Sequence, residues 1–245
     1  MIIELVIIFF ILLFGSFVQG VSGFGFGLIA MSMLPFFFTV KESTLLVISL
    51  ALVLSTSIAL QMFKHIQWRS LIVILGAAIV GRIGGFYILH HYGEMDILRV
   101  FLGVFLVLVV IYLFLSKPPK PDTIVNETWL PILLGFSGGL IGGIFAVGGP
   151  FFVFFFLLLY HDNKYTYSAN LQVTFVVTAV ITVVLHGTSG DFSMEFLSYF
   201  LVGLISVLLG SRIGVHFFKK LSQNNIKKIA GVIVAIAALN LIIFG

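Results

Sequence analysis

Three observations predict an all-α polytopic membrane protein made of two inverted repeats, each a glycine-broken helix hairpin plus three transmembrane helices. The first is composition. Of 245 residues, 60% are hydrophobic and 9% are charged, against roughly a quarter charged in soluble domains. With 28 Phe and a mean hydropathy of +1.23, most of this apolar surface has to face lipid. The second observation is the run of stretches without Asp, Glu, Lys or Arg: 5–40, 43–63, 100–116, 128–161 and 165–190. A bilayer core of about 30 Å needs roughly 20 apolar residues per helix. The segments are uniformly apolar and do not alternate, which predicts helices and not a barrel. The third observation is a pair of glycine-rich breaks, one in each half.

The apolar segments fall at 2–20, 25–39, 43–62, 70–89, 98–116, 130–142, 150–160, 166–187, 196–217 and 226–244. Glu4 is the only charge near the N-terminus and no Ala-x-Ala site follows it, so the first segment reads as a retained helix and not a signal peptide. The longest polar connection, with Lys117, Pro118, Pro119, Lys120 and Pro121, cannot continue a helix. It divides the chain into a first membrane repeat (1–116), a cytoplasmic linker (117–128) and a second membrane repeat (129–245).

The two sides of the linker resemble each other. Phe17–Phe26 (FVQGVSGFGF) aligns with Phe136–Phe145 (FSGGLIGGIF), Gly81-Arg82-Ile83-Gly84 echoes Ser211-Arg212-Ile213-Gly214, and Leu98-Arg99 matches Ile226-Lys227. Positive charge then fixes the relative orientation, because Lys and Arg collect on the cytoplasmic side. If each broken segment dips in and returns, one side holds nine cations (Lys64, Arg69, Lys117, Lys120, Lys164, Lys219, Lys220, Lys227 and Lys228) and the other holds two, Lys41 and Arg99. If each crosses once, the split is seven to four. The first arrangement makes the halves inverted and puts both termini outside.

The breaks themselves are Gly20–Gly27 and Gly138–Pro150. Segments 130–142 and 150–160 are too short to span, so half-helices meeting at depth are expected. Gly148-Gly149-Pro150 reads as unwound backbone before a helix start, where proline is tolerated. Free N–H groups and the positive dipole end of such a helix can hold an anion. Gly23, Gly25, Gly27, Gly148 and Gly149 are therefore expected at a substrate cavity. Gly135, Gly139 and Gly143 match the small-residue helix-packing pattern, and Gly135→Ala is expected to be milder than Gly149→Val. Arg82 and Arg212 lie inside apolar segments, where a cation marks a pathway or a partner, although Arg212 is near enough to its helix end to snorkel. Gln19, Ser22, Asn170 and Gln172 stand close enough to the breaks to add polar side chains. Most intramembrane Ser and Thr are expected to bond their own backbone.

Absences limit the chemistry. No cysteine is present, which excludes thiolate metal sites and disulfides. The adjacent His90 and His91 do not share a helix face, and no metal site or cofactor is expected. No buried carboxylate relay or nucleophile–base pair is visible, which argues against an intramembrane enzyme. No basic face suits nucleic acid.

The glycine motifs Gly20–Leu28 (GVSGFGFGL) and Gly138–Phe151 (GGLIGGIFAVGGPF), with the chain length and the duplicated halves, resemble the sulfite exporter TauE/SafE family of anion permeases. The short loops His65–Arg69 and Gly190–Phe192 are also similar to that family's. Where typical members carry three glycines near the second break, this chain has Gly148-Gly149-Pro150. The resemblance implies a permease, and specifically an exporter, for sulfite, organosulfonates or a similar small sulfur-containing anion in a bacterial inner membrane. A small anion and the lipid bilayer are the partners implied, and a homodimer is compatible with the sequence. An anion channel and a non-transporting assembly factor remain the alternatives.

Overall fold

The computed structural model describes residues 2–115, 129–160, 162–218 and 223–244; the expected linker 117–128 lies outside them. All described regular structure is helical, with no strand among the described residues. The helices are α1 (Ile2–Ser22), α2 (Phe26–Met33), α3 (Val40–Gln61), α4 (Trp68–Tyr92), α5 (Ile97–Leu115), α6 (Trp129–Phe145), α7 (Gly149–Leu159), α8 (Lys164–Thr188), α9 (Phe196–Phe217) and α10 (Gln223–Phe244). Among the described residues α1, α3, α4, α8 and α9 are long and apolar enough to cross a membrane.

Both glycine-rich segments form hairpins of unequal arms. Ser22 Oγ donates to the carbonyls of Val18 and Phe24 at 2.8 and 2.6 Å, which closes the end of α1. Gly23 and Gly25 then take φ of 84° and 116°, a region glycine enters without steric penalty. The chain reverses, and α2 runs back along α1 with Phe26 and Ile29 against Gly15, where a Cβ would stand 3.2 and 3.6 Å from them. In the second half Ala146 makes the reversal at φ 56°, and Pro150 sits in the first turn of α7. The ring of Phe152 then packs on Gly138 of α6. At 8 and 11 residues, α2 and α7 are about 12 and 16 Å long, half of a bilayer core. A 3₁₀ turn at Leu34–Phe36, with Pro35 inside it, ends the return arm. A capping box of Thr39 and Glu42 starts α3 at Val40, three residues before the apolar run begins.

The halves exchange partners. The first helix of each half packs against the fourth helix of the other, α1 on α9 and α6 on α4, while α3 crosses α8 and α5 pairs with α10. Both exchanged interfaces are seams of backbone on backbone. A Cβ on Gly81 would fall on the carbonyl of Phe136, one on Gly139 on that of Ala78, and one on Gly214 on that of Phe17. Glycine permits this approach, and close packing is what drives helix association where lipid is as apolar as the side chains.

This packing corrects the register read from the sequence. Gly81 meets Phe136 as Gly214 meets Phe17, and Phe136 is equivalent to Phe17. The structural counterpart of Arg82 is therefore Val215 and not Arg212. The similar four-residue strings are three positions out of register, a slip that the many small residues of both helices conceal.

Candidate functional site

The two breaks touch at the centre of the bundle. A Cβ on Gly27 would overlap the carbonyl oxygen of Ala146, and one on Gly142 would lie 2.8 Å from Nη2 of Arg82. Each break is braced by the opposite half: Thr44 Oγ1 of α3 donates to the Ile144 carbonyl at 3.0 Å, and Gln172 Nε2 of α8 donates to the Gly23 carbonyl at 2.7 Å.

Between the breaks lies a cavity of about 50 Å³, lined by Gln19, Phe24, Gly25, Gly27, Leu28, Arg82, Ala146, Val147, Gly148, Gly149 and Phe175, with Ile48, Ala51 and Ala179 completing the wall. One water-sized occupant needs about 10–15 Å³ on this measure, so the space suits one small polyatomic anion or a few waters. Both α2 and α7 begin at its wall. The first-turn N–H groups of a helix have no intrahelical acceptor and carry a partial positive charge.

Arg82 supplies a full charge. Gly81 and Gly85 face the α6 backbone, and Arg82, next to Gly81 on the helix, turns toward the interior, where it is 5% exposed. Nη1 donates to the Gly142 carbonyl at 2.7 Å and to Thr182 Oγ1 at 3.2 Å, and Nη2 donates to Thr178 Oγ1 at 3.4 Å. Nε is buried without an acceptor, and among the described residues no carboxylate lies within ion-pair distance. A guanidinium has five N–H donors and a buried cation is expensive unless compensated. The site therefore has more donors and more positive charge than the protein itself satisfies.

The residues expected at the site from sequence separate into three groups. Gln19, Gly25, Gly27, Arg82, Gly148 and Gly149 line the cavity. Ser22, Gly23 and Gln172 shape it from behind. Ser22 closes the turn, and Gln172 accepts from Gln19 Nε2 at 3.0 Å while Ser55 Oγ takes a second bond from the same nitrogen at 3.1 Å. Asn170 and Arg212 lie elsewhere. Asn170 donates to the Thr166 carbonyl and accepts from the Gln67 N–H at 2.9 Å, tying the start of α4 to α8. Arg212 is exposed on the outer surface of α9.

Three positions at or beside the cavity escaped the sequence reading. Thr178 and Thr182 bond their own helix backbone as expected, yet the same hydroxyls accept from Arg82. Their spacing of four, repeated from Thr174, was the available signal, since it marks one polar face. Ala146 gave none, because a non-glycine left-handed residue is set by the contacts around it.

The two glycines differ in the space around them. A Cβ on Gly149 meets nothing closer than Phe175 Cζ at 3.6 Å, whereas one on Gly135 would stand 2.5 Å from the Ile74 carbonyl. The packing glycine is the sterically intolerant one.

A multi-pass helical bundle whose broken helices enclose a cationic cavity at depth defines the class: a membrane transporter, not an enzyme. The chain belongs to the sulfite exporter TauE/SafE family, whose model matches residues 7–241. It is 24% identical over 233 residues to the probable sulfite/organosulfonate exporter TauE of Cupriavidus necator, covering 91% of this chain and 88% of that protein. No solved structure matches the chain.

Proposed function

We propose that this protein is a permease that exports sulfite, an organosulfonate or a similar small sulfur oxyanion across a bacterial inner membrane. The anion is held where the two glycine breaks meet. Arg82 provides the charge and the first turns of α2 and α7 provide backbone N–H donors, while Gln19, whose two amide N–H groups are taken by Ser55 and Gln172, lines the wall. The observation that carries this reading is the buried guanidinium of Arg82 beside the cavity, with Nε left without an acceptor and no carboxylate within ion-pair distance among the described residues. The family relative named above, a probable sulfite/organosulfonate exporter, supports the same substrate class. A site of backbone dipoles and one cation binds an anion firmly enough to select it and weakly enough to release it. The charge asymmetry supports both termini, and the ends of α4 and α8, lying on the outer side.

Uptake into proteoliposomes against sulfite, sulfoacetate, taurine, thiosulfate and sulfate tests this. Saturable transport of sulfite or a sulfonate is expected. Arg82→Gln should weaken it roughly ten- to a hundredfold, the range for a lost hydrogen bond to a charged group, with the folded fraction retained. A folded Arg82→Gln protein that transports normally would remove Arg82 from the site.

A further inference from the structure

At the outer end of α8 the chain builds a second polar site that takes no part in holding the anion. The helix ends in a Schellman turn: Gly190 has φ 71°, its N–H bonds the Gly187 carbonyl, and the Asp191 N–H bonds that of His186. The left-handed glycine is what this turn requires, and it folds Asp191 back over the helix. There Asp191 Oδ1 accepts from Lys41 Nζ of α3 at 2.8 Å. Oδ2 contacts His90 Nδ1 of α4 at 2.8 Å and His186 Nδ1 of α8 at 2.6 Å. One carboxylate from the second half thus clasps a lysine and a histidine of the first.

This cluster joins the cavity through α8. Asn170, Thr174, Thr178, Thr182 and His186 recur every fourth residue and are all buried. Thr182 accepts from Arg82, and His186 lies one turn beyond it, about 6 Å along the axis. The opposite end of the bundle is closed differently. Its ties include neutral hydrogen bonds from the Gln67 N–H to Asn170 Oδ1 and between Ser70 and Tyr160 at 2.6 Å, and Lys164 Nζ lies 4.9 Å from the ring centre of Phe218.

We propose that Asp191, Lys41, His90 and His186 form a proton-binding latch over the outer end of the route from the Arg82 cavity, and that acid on that side opens it. Two features set the sign. First, the closed cluster has one carboxylate facing Lys41. Protonating both imidazoles would set three positive charges against one negative, and Glu94 approaches Lys41 only to 3.9 Å. The other charged groups nearby do not redress this: Glu42 of α3 is engaged in its capping box, Glu195 lines the adjoining pocket beside Asp191 and Tyr199, and His91 bonds the Tyr87 carbonyl. Second, His186 Nε2 is buried without a partner, edge-on to Phe86 at 4.8 Å. A proton added there has no acceptor until the site opens to water. Protons therefore bind the open state better, and by linkage they favour it.

The latch is placed on the transport route proposed above, but its test needs no substrate. The chain has no cysteine, so Met95→Cys and Met194→Cys, on exposed loops beside the cluster, can carry a pair of nitroxide labels. Their distance distribution would be measured in nanodiscs from pH 8 to 5. A longer component should grow on acidification, with its midpoint in the range where imidazoles titrate, about pH 5–8. It should vanish in the folded His90→Gln/His186→Gln double variant. Distances that ignore pH in the folded protein, or a response that survives loss of both histidines, would overturn the proposal.

Discussion

Asp191 and Arg82 illustrate how differently a charge is carried at the surface and at depth. Asp191 lies beyond the end of α8, and partial burial alone would raise its pKa. The hydrogen bonds from Lys41, His90 and His186 outweigh that and hold it down at about 2. Because the folded value is below the free carboxyl's, the ionised carboxylate stabilises the closed clasp, by an amount on the order of 2 kcal/mol while the latch is shut. Asp191→Asn should remove that contribution and lower the melting temperature at pH 8, where the latch is closed. An unchanged melting temperature at pH 8 would mean that the clasp holds nothing. Arg82, by contrast, has no carboxylate partner among the described residues, and its surplus donors are what make it available to a ligand.

Among the elements, the α4–α6 seam and the α7 start make opposite demands on the same residue type. Gly135 rests 2.5 Å, measured from an added Cβ, from the Ile74 carbonyl of α4. Neither backbone can withdraw without opening the whole seam. Gly149 lines the cavity, and a Cβ there would meet Phe175 Cζ at 3.6 Å, an ordinary van der Waals contact. Gly135→Ala should therefore destabilise the protein by about 1–3 kcal/mol, the range for overpacking, seen as a lower melting temperature in detergent. Gly149→Ala should leave melting nearly unchanged and weaken anion binding about tenfold, or about 1.4 kcal/mol, because its methyl group occupies space beside the first turn of α7. Equal melting temperatures for the two variants would show that the seam is looser than its contacts indicate. The same seam explains why Arg82 faces inward: glycines at 81 and 85 fix the rotation of α4, which turns position 82 inward and leaves Ile83 exposed.

For the molecule as a whole, the inverted arrangement we propose gives each half an odd number of membrane passes with its broken segment counted as a hairpin, and the exchanged pairing of α1 with α9 and α6 with α4 is consistent with it. Combined with the nine-to-two charge split, this predicts that a periplasm-dependent reporter fused at Gly245 is active and one inserted at Pro121 is silent. A silent C-terminal fusion would contradict the inverted arrangement. The helices, their number and the two hairpins were legible in the sequence, because apolar length, glycine clusters and proline are local signals whose physical effects are local too. The cavity-lining glycines and Gln19 were legible for the same reason, since they sit at the breaks. The tertiary structure alone decided that Arg82 reaches the cavity and Arg212 does not, since both sit in similar strings and only the register of α4 on α6 and α9 on α1 separates them. It alone placed Asp191 between His90 and His186, residues far apart in the chain. Sequence spacing reports which residues share a helix face, whereas a site made between helices depends on how close two backbones can come. Here that distance is set by glycines contacting carbonyls across the seam.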